Sequence, residues 1–163
     1  MHAFDHLPKS TRGLLCRAYM MGHGAFLRSV EDVLVHFAEW GEVPSSIELS
    51  LAMTYRMVSK EVVAKLDTHL LLPLRDDPFL RLLVHSLAGY YEMNSATTME
   101  NYVLIHGKKK TMKPRDSVCA YMYTTRLTEE QRQFVDMQES KMYAKTVSEV
   151  DSEGFHLVIP QEM

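Results

Sequence analysis

Cysteine is scarce in this chain. Two occur in 163 residues, Cys16 and Cys119, separated by most of its length. That count excludes a disulfide-stapled scaffold and points to a reducing compartment. No uncharged apolar run approaches the roughly 18 residues that a membrane-spanning helix needs. The first ten residues contain Asp5 and Pro8 and have no hydrophobic stretch, so a secretory leader is not expected. The spacing of Arg12, Arg17 and Arg28 is compatible with an organellar presequence, against which Asp5 stands. The expected location is intracellular, cytoplasmic or nuclear, with organellar import left open. Glycine and proline are few, at 7 and 6, and no repeat or low-complexity tract appears, which removes solenoids. What is present, 46% hydrophobic and 24% charged residues, is the composition of an ordinary soluble domain, with or without a small appendage.

Catalytic signatures are missing as well. The stretch Gly107–Lys108–Lys109–Lys110–Thr111 lacks the earlier glycine and the spacing of a phosphate-cradling loop. There is no H-E-x-x-H, no C-x-x-C and no G-x-S-x-G elbow. His36 and Glu39 form an i, i+3 pair on a predicted helix, too few ligands for a metal. A non-enzymatic protein without metal or cofactor is expected.

The net charge of −3 does not suggest a nucleic-acid binder, but its distribution does. Residues 1–57 carry a net −1, residues 58–115 a net +3 and residues 116–163 a net −5. The basic middle peaks at Lys108, Lys109, Lys110, Lys113 and Arg115, five cations in eight residues with no acid among them.

Local patterns divide the chain into three segments, 1–56, 57–115 and 116–163. In the first, Ser10 or Thr11 can cap a helix reaching Met21, which Gly22 and Gly24 interrupt. Val30, Val33, Leu34, Phe37 and Trp40 then fall on one helical stripe, stopped by Gly41 and Pro44. Ser45 and Glu48 form a capping-box pattern. The alternation Ile47, Leu49, Leu51, Met53, Tyr55 reads as strand, but the cap favours helix. In the second segment a helix is expected over 59–68 and an edge strand over 69–74, because Pro73 lies in its apolar run. Asp77 and Pro78 make a strong helix start, and Phe79, Leu83, Leu87 and Tyr91 a stripe. Strands 93–97 and 102–106 follow, with a turn near Glu100 and Asn101. In the third segment Thr128 and Gln131 form another capping box opening a helix toward Val147, and Phe155–Ile159 is a further strand candidate.

Arg81 and His85 stand four residues apart on the predicted 78–91 helix and so share a face. A guanidinium and an imidazole one turn apart can both donate to phosphate oxygens. The following strand leads into Lys108–Lys110, so the two groups together make a cationic strip. The same residues also fit a plain surface. Arg81 lies four after Asp77, the spacing of an ion pair, and His85 can be a half-buried histidine bonded to backbone.

The run Pro78–Phe79–Leu80–Arg81–Leu82–Leu83–Val84–His85–Ser86–Leu87–Ala88–Gly89–Tyr90–Tyr91–Glu92–Met93, followed by Tyr102–Val103–Leu104–Ile105–His106 and the lysines, resembles the R-3-H domain family, named for an arginine and a histidine separated by three residues. The likeness covers about Val58 to Arg115, roughly a third of the chain. It implies a small α+β fold, a three-stranded antiparallel sheet with two helices on one face. Here an N-terminal helical extension and a C-terminal helix with an acidic tail would be added. It also implies binding of single-stranded RNA or DNA with little sequence preference, and maps the family's pair onto Arg81 and His85. One departure is Glu92, where the family commonly has glycine as the helix C-cap. Helicase and nuclease signatures that often accompany the domain are absent, so no activity carries over. The expected function is single-stranded nucleic-acid binding, RNA more than DNA, through Arg81, His85, Lys108, Lys109, Lys110, Lys113 and Arg115. The competing expectation is a protein-interaction subunit of a ribonucleoprotein or translation-related assembly. Its partner would be held by the N-terminal helices or the acidic tail.

Overall fold

The computed structural model describes residues 2–40, 42–55, 64–66, 69–74, 77–106 and 117–152. A single 3-10 turn, Ala3–His6, precedes helix α1, Lys9–Ala18. Pro8, not Ser10 or Thr11, stands before its first residue, with φ of −53° already near helical. The helical trace widens over Tyr19–His23, where Gly22 adopts φ of 96°. That backbone is open to glycine and costly for other residues. Helix α2, Gly24–Trp40, follows at once. Its start demands a second glycine: a β-carbon at Gly24 would lie 2.9 Å from the Tyr19 ring and from a Glu139 carboxylate oxygen. Val30, Val33, Leu34 and Phe37 of the predicted stripe are all buried. Helix α3, Ser45–Tyr55, is helical rather than extended, its first turn closed by Ile47 and Glu48 amides donating to the Pro44 carbonyl.

Four strands form one antiparallel sheet: β1 Ala64–Leu66, β2 His69–Leu72, β3 Asn94–Thr97 and β4 Val103–His106, in the order β1-β2-β4-β3. The fold is α+β, as the sequence implied. Three of the strands lie where they were expected, but 69–74 is not an edge strand: β2 pairs with β1 on one side and β4 on the other, and it ends at Leu72, so Pro73 costs the ladder no amide. The fourth is a correction, because residues 64–66 of the helix expected over 59–68 are strand. Leu66 opposes His69, the separation of a two-residue hairpin, and the β-branched pair Val62–Val63 just upstream also favours extension.

Helix α4, Pro78–Tyr90, crosses from β2 to β3, which flanks the far side of β4. Asp77 caps it by accepting from the Leu80 amide at 3.0 Å. Leu80, Leu83, Val84, Leu87 and Ala88 are buried in the same core as Leu70, Leu72, Val103 and Ile105, the inward residues of the two central strands. Alternation along the strands dictates which residues share that side: Ser95 opposes Ile105 and Thr97 opposes Val103. Behind α4 stand α1 and α2. The helices of the first segment are therefore a layer of the core itself. α4 is the helix packed on the sheet, and residues 64–66 of the second helix expected there are strand. One buried cluster runs from Phe4 to Val135 and draws on all three segments.

Helix α5, Val118–Tyr121, continues into a wide turn over Met122–Arg126, and α6, Glu129–Ser152, closes the described chain. The capping box at its start is reciprocal, with Thr128 N donating to Gln131 Oε1 at 2.8 Å and Gln131 N to Thr128 Oγ1 at 3.1 Å. Phe155–Ile159 lies outside the described residues. Among the described residues no helix is long and apolar enough to cross a membrane, and both cysteines are free thiols.

Candidate functional site

The sequence-predicted pair sits where α4 meets the open edge of the sheet. β3 is an outer strand, with no strand on its other side among the described residues. His85 reaches across to it with both ring nitrogens. Nδ1 lies 2.6 Å from Ser95 Oγ and Nε2 lies 3.0 Å from Thr97 Oγ1. A neutral imidazole has one N–H and one lone pair, so it donates to one hydroxyl and accepts from the other. Desolvation, and secondarily the charge of Arg81, hold its pKa below the ordinary histidine value. Near neutrality the ring is thus uncharged and polar. Arg81, one turn earlier, donates from Nη1 to the Leu74 carbonyl at 2.9 Å. Asp77, its expected i, i+4 partner, spends Oδ1 on the helix cap.

Ser95 and Thr97 were not legible as site residues. A short run Asn–Ser–Ala–Thr carries no chemical signature, and only the α4 crossover brings its alternate hydroxyls beneath the helix. Between Pro78 and Arg115 the sequence holds two carboxylates, Glu92 and Glu100.

Lys108, Lys109, Lys110, Lys113 and Arg115 lie outside the described residues. The register fixes where the chain heads toward them. His106, the last residue of β4, opposes Asn94, the first of β3, and His69. That row is at the end of the sheet where α4 finishes. Arg81 is toward the opposite end, near Leu74. Arg81, His85 and the exit of β4 therefore follow one another along the length of α4, over about 15 Å of helix from Arg81 to Tyr91, with His85 the one of the pair seen to reach β3.

The C-terminus of α4 resolves the Glu92 departure. Glu92 adopts φ of 57°, its amide donates to Gly89 O at 3.0 Å and the next amide, Met93, to Ala88 O at 2.8 Å. This is the Schellman arrangement normally given to glycine, here built with glutamate.

Two further polar groupings escaped the sequence reading. Glu31, 5% exposed, accepts at Oε2 from the Tyr91 hydroxyl at 2.8 Å and from the amides of Val118 at 2.7 Å and Cys119 at 3.4 Å. Its Oε1 takes the Ser117 hydroxyl. Burial first, and this carboxylate second, push the Tyr91 hydroxyl and the Cys119 thiol far above their ordinary values, so neither ionises at physiological pH. The group locks the start of α5 to α2 and to the end of α4. Nearby, a cleft of about 430 Å³ is lined by Tyr19, Arg28, Asp32, Tyr123, Asp136 and Glu139 among others. Arg28 donates to Tyr19 Oη at 2.6 Å and to both Glu139 oxygens at 3.0 Å. Arg28, the cation among the described lining residues, is thus already held by carboxylate and phenol, and Asp32, Asp136 and Glu139 make the cleft unfavourable to phosphate. Among the described residues no three His, Cys, Asp or Glu side chains come together as a metal site. The candidate site is the Arg81–His85 edge.

No family model, no curated protein and no solved structure matches this chain.

Proposed function

We propose that this protein binds single-stranded nucleic acid, RNA more readily than DNA, along the α4–β3 edge. The observation that carries the reading is the Arg81–His85 pair, one helical turn apart beside the hydroxyls of Ser95 and Thr97. His85 meets the hydroxyls of Ser95 and Thr97 on β3, and Arg81 stands one turn earlier on the same helix; all four side chains can donate to phosphate oxygens. Lys108, Lys109, Lys110, Lys113 and Arg115 extend the positive charge in the sequence directly after β4. Phosphate contacts of this kind supply affinity without base readout, so weak sequence preference and steep salt dependence follow. Catalysis plays no part in this proposal.

The test is residue-level mapping. Titrating the full chain with a short single-stranded RNA should shift the amide resonances of Arg81, His85 and Asn94–Thr97 and leave those lining the Arg28 cleft in place. Shifts confined to the cleft would sink the reading. An interaction subunit is the second reading, favoured by Phe134 and Met137, one turn apart on α6 and 42% and 50% exposed. It requires a protein partner that stays bound after nuclease treatment.

A further inference from the structure

The inference rests on the Arg81–His85 edge being a phosphate-binding site and concerns its control. Thr97 is the last residue of β3 and is exposed. Its Oγ1 is the hydroxyl that meets His85 Nε2 at 3.0 Å. Three residues further on, in the turn to β4, stands exposed Glu100. A carboxylate three places after a hydroxyl is the spacing that acid-directed serine/threonine kinases read. The neighbouring hydroxyls do not share it: the residue three after Ser95 is Thr98, and three after Thr98 is Asn101. Thr98 is also committed to the turn, its Oγ1 accepting from the Tyr102 amide at 3.1 Å.

We propose that Thr97 is a phosphorylation site and that its phosphate, once attached, occupies the Arg81–His85 pair and shuts out nucleic acid. In the transfer, Thr97 Oγ1 attacks the γ-phosphorus of a nucleoside triphosphate held by the kinase. The Oγ1–P bond forms and the bond from that phosphorus to the bridging oxygen breaks. The hydroxyl proton goes to the kinase's base and the nucleoside diphosphate departs. The product carries a charge of about −2 on the oxygen that already sits at hydrogen-bond distance from the His85 imidazole, with Arg81 one helical turn from that ring. The attached anion is intramolecular, so its local concentration far exceeds that of a free phosphate backbone. His85 takes up a proton to face it, reversing the present bias toward the neutral ring.

The experiment treats the full chain with an acid-directed kinase and a nucleoside triphosphate, and maps phosphate by mass spectrometry. It then follows His85 by imidazole chemical-shift titration and measures affinity for a short single-stranded RNA by anisotropy. Expected are phosphate on Thr97, incorporation reduced about tenfold in Glu100→Lys, a His85 midpoint raised above that of the unmodified chain, and RNA affinity lowered about tenfold or more. Phosphate placed elsewhere, or incorporation indifferent to Glu100→Lys, overturns the site. Phosphate on Thr97 with an unmoved His85 midpoint overturns the capture by the pair. If Thr97 is modified and His85 responds, but the unmodified chain binds no oligomer, the modification site stands and the nucleic-acid reading falls.

Discussion

Glu31 and His85 are both half of a bargain struck across the sequence, and each makes a distinct prediction. The Glu31 carboxylate serves four donors. Glu31→Ala leaves the Tyr91 and Ser117 hydroxyls and two amides without their acceptor, and should lower stability by about 3 kcal/mol or more in urea unfolding. Glu31→Gln keeps an acceptor oxygen and should cost well under half as much. Equal losses would mean that negative charge, not the set of bonds, is what matters. For His85 the sign follows from its depressed pKa. The folded state disfavours protonation, so this residue's stabilisation is present above the ordinary value of about 6.5 and is lost as pH falls through the folded value. Phosphate binding opposes that bias and draws a proton onto the ring. Between about pH 7.5 and 5.5 the free protein should lose stability while RNA affinity rises, and both trends should flatten in His85→Gln. A salt-sensitive complex with no pH response would remove His85 from the contact.

At the scale of elements, α4 carries the argument. Its C-terminal turn holds a glutamate in left-handed backbone, so Glu92→Gly should stabilise the fold by about 1 kcal/mol, read as a higher urea midpoint with unchanged slope. A neutral or adverse effect would show that the glutamate side chain repays its backbone strain. This helix was legible because its cap, N1 proline and apolar period agree. Strands β3 and β4 were legible because a turn with Asn101, found at φ of 64°, separates them. Strand β1 was misread because Val62, Val63 and Leu66 satisfy a helical period as well as a strand propensity. Arg81 and His85 could be placed together because i, i+4 spacing is local. Ser95, Thr97 and the Glu31 hub could not be. The hub's donors come from residues 60 to 88 positions away, and the hydroxyls' role depends on a crossover that no local pattern encodes.

For the whole molecule, charge decides between the two concave or open surfaces. The cleft around Arg28 holds Asp32, Asp136 and Glu139, whereas the α4–β3 edge lies in the net-positive middle third of the sequence. A net charge of −3 averages these opposites and hides both. Helices α1 and α2 of the first segment pack behind α4, and Phe26, Leu27 and Val30 belong to the same buried cluster as its apolar side, so α4 is held on a continuous core. The central claim is that phosphate binds at the α4–β3 edge. Fluorescence anisotropy with short single-stranded RNA and DNA, across a salt series, tests it most directly. Wild type is compared with the double change Arg81→Ala, His85→Ala and with Arg17→Ala, an exposed cation on α1. Each lost phosphate contact should reduce the salt slope by about 0.7. The account predicts salt-sensitive binding that the folded double variant loses and Arg17→Ala keeps. Binding that survives the double change undiminished, or no binding of wild type at low salt, would contradict it.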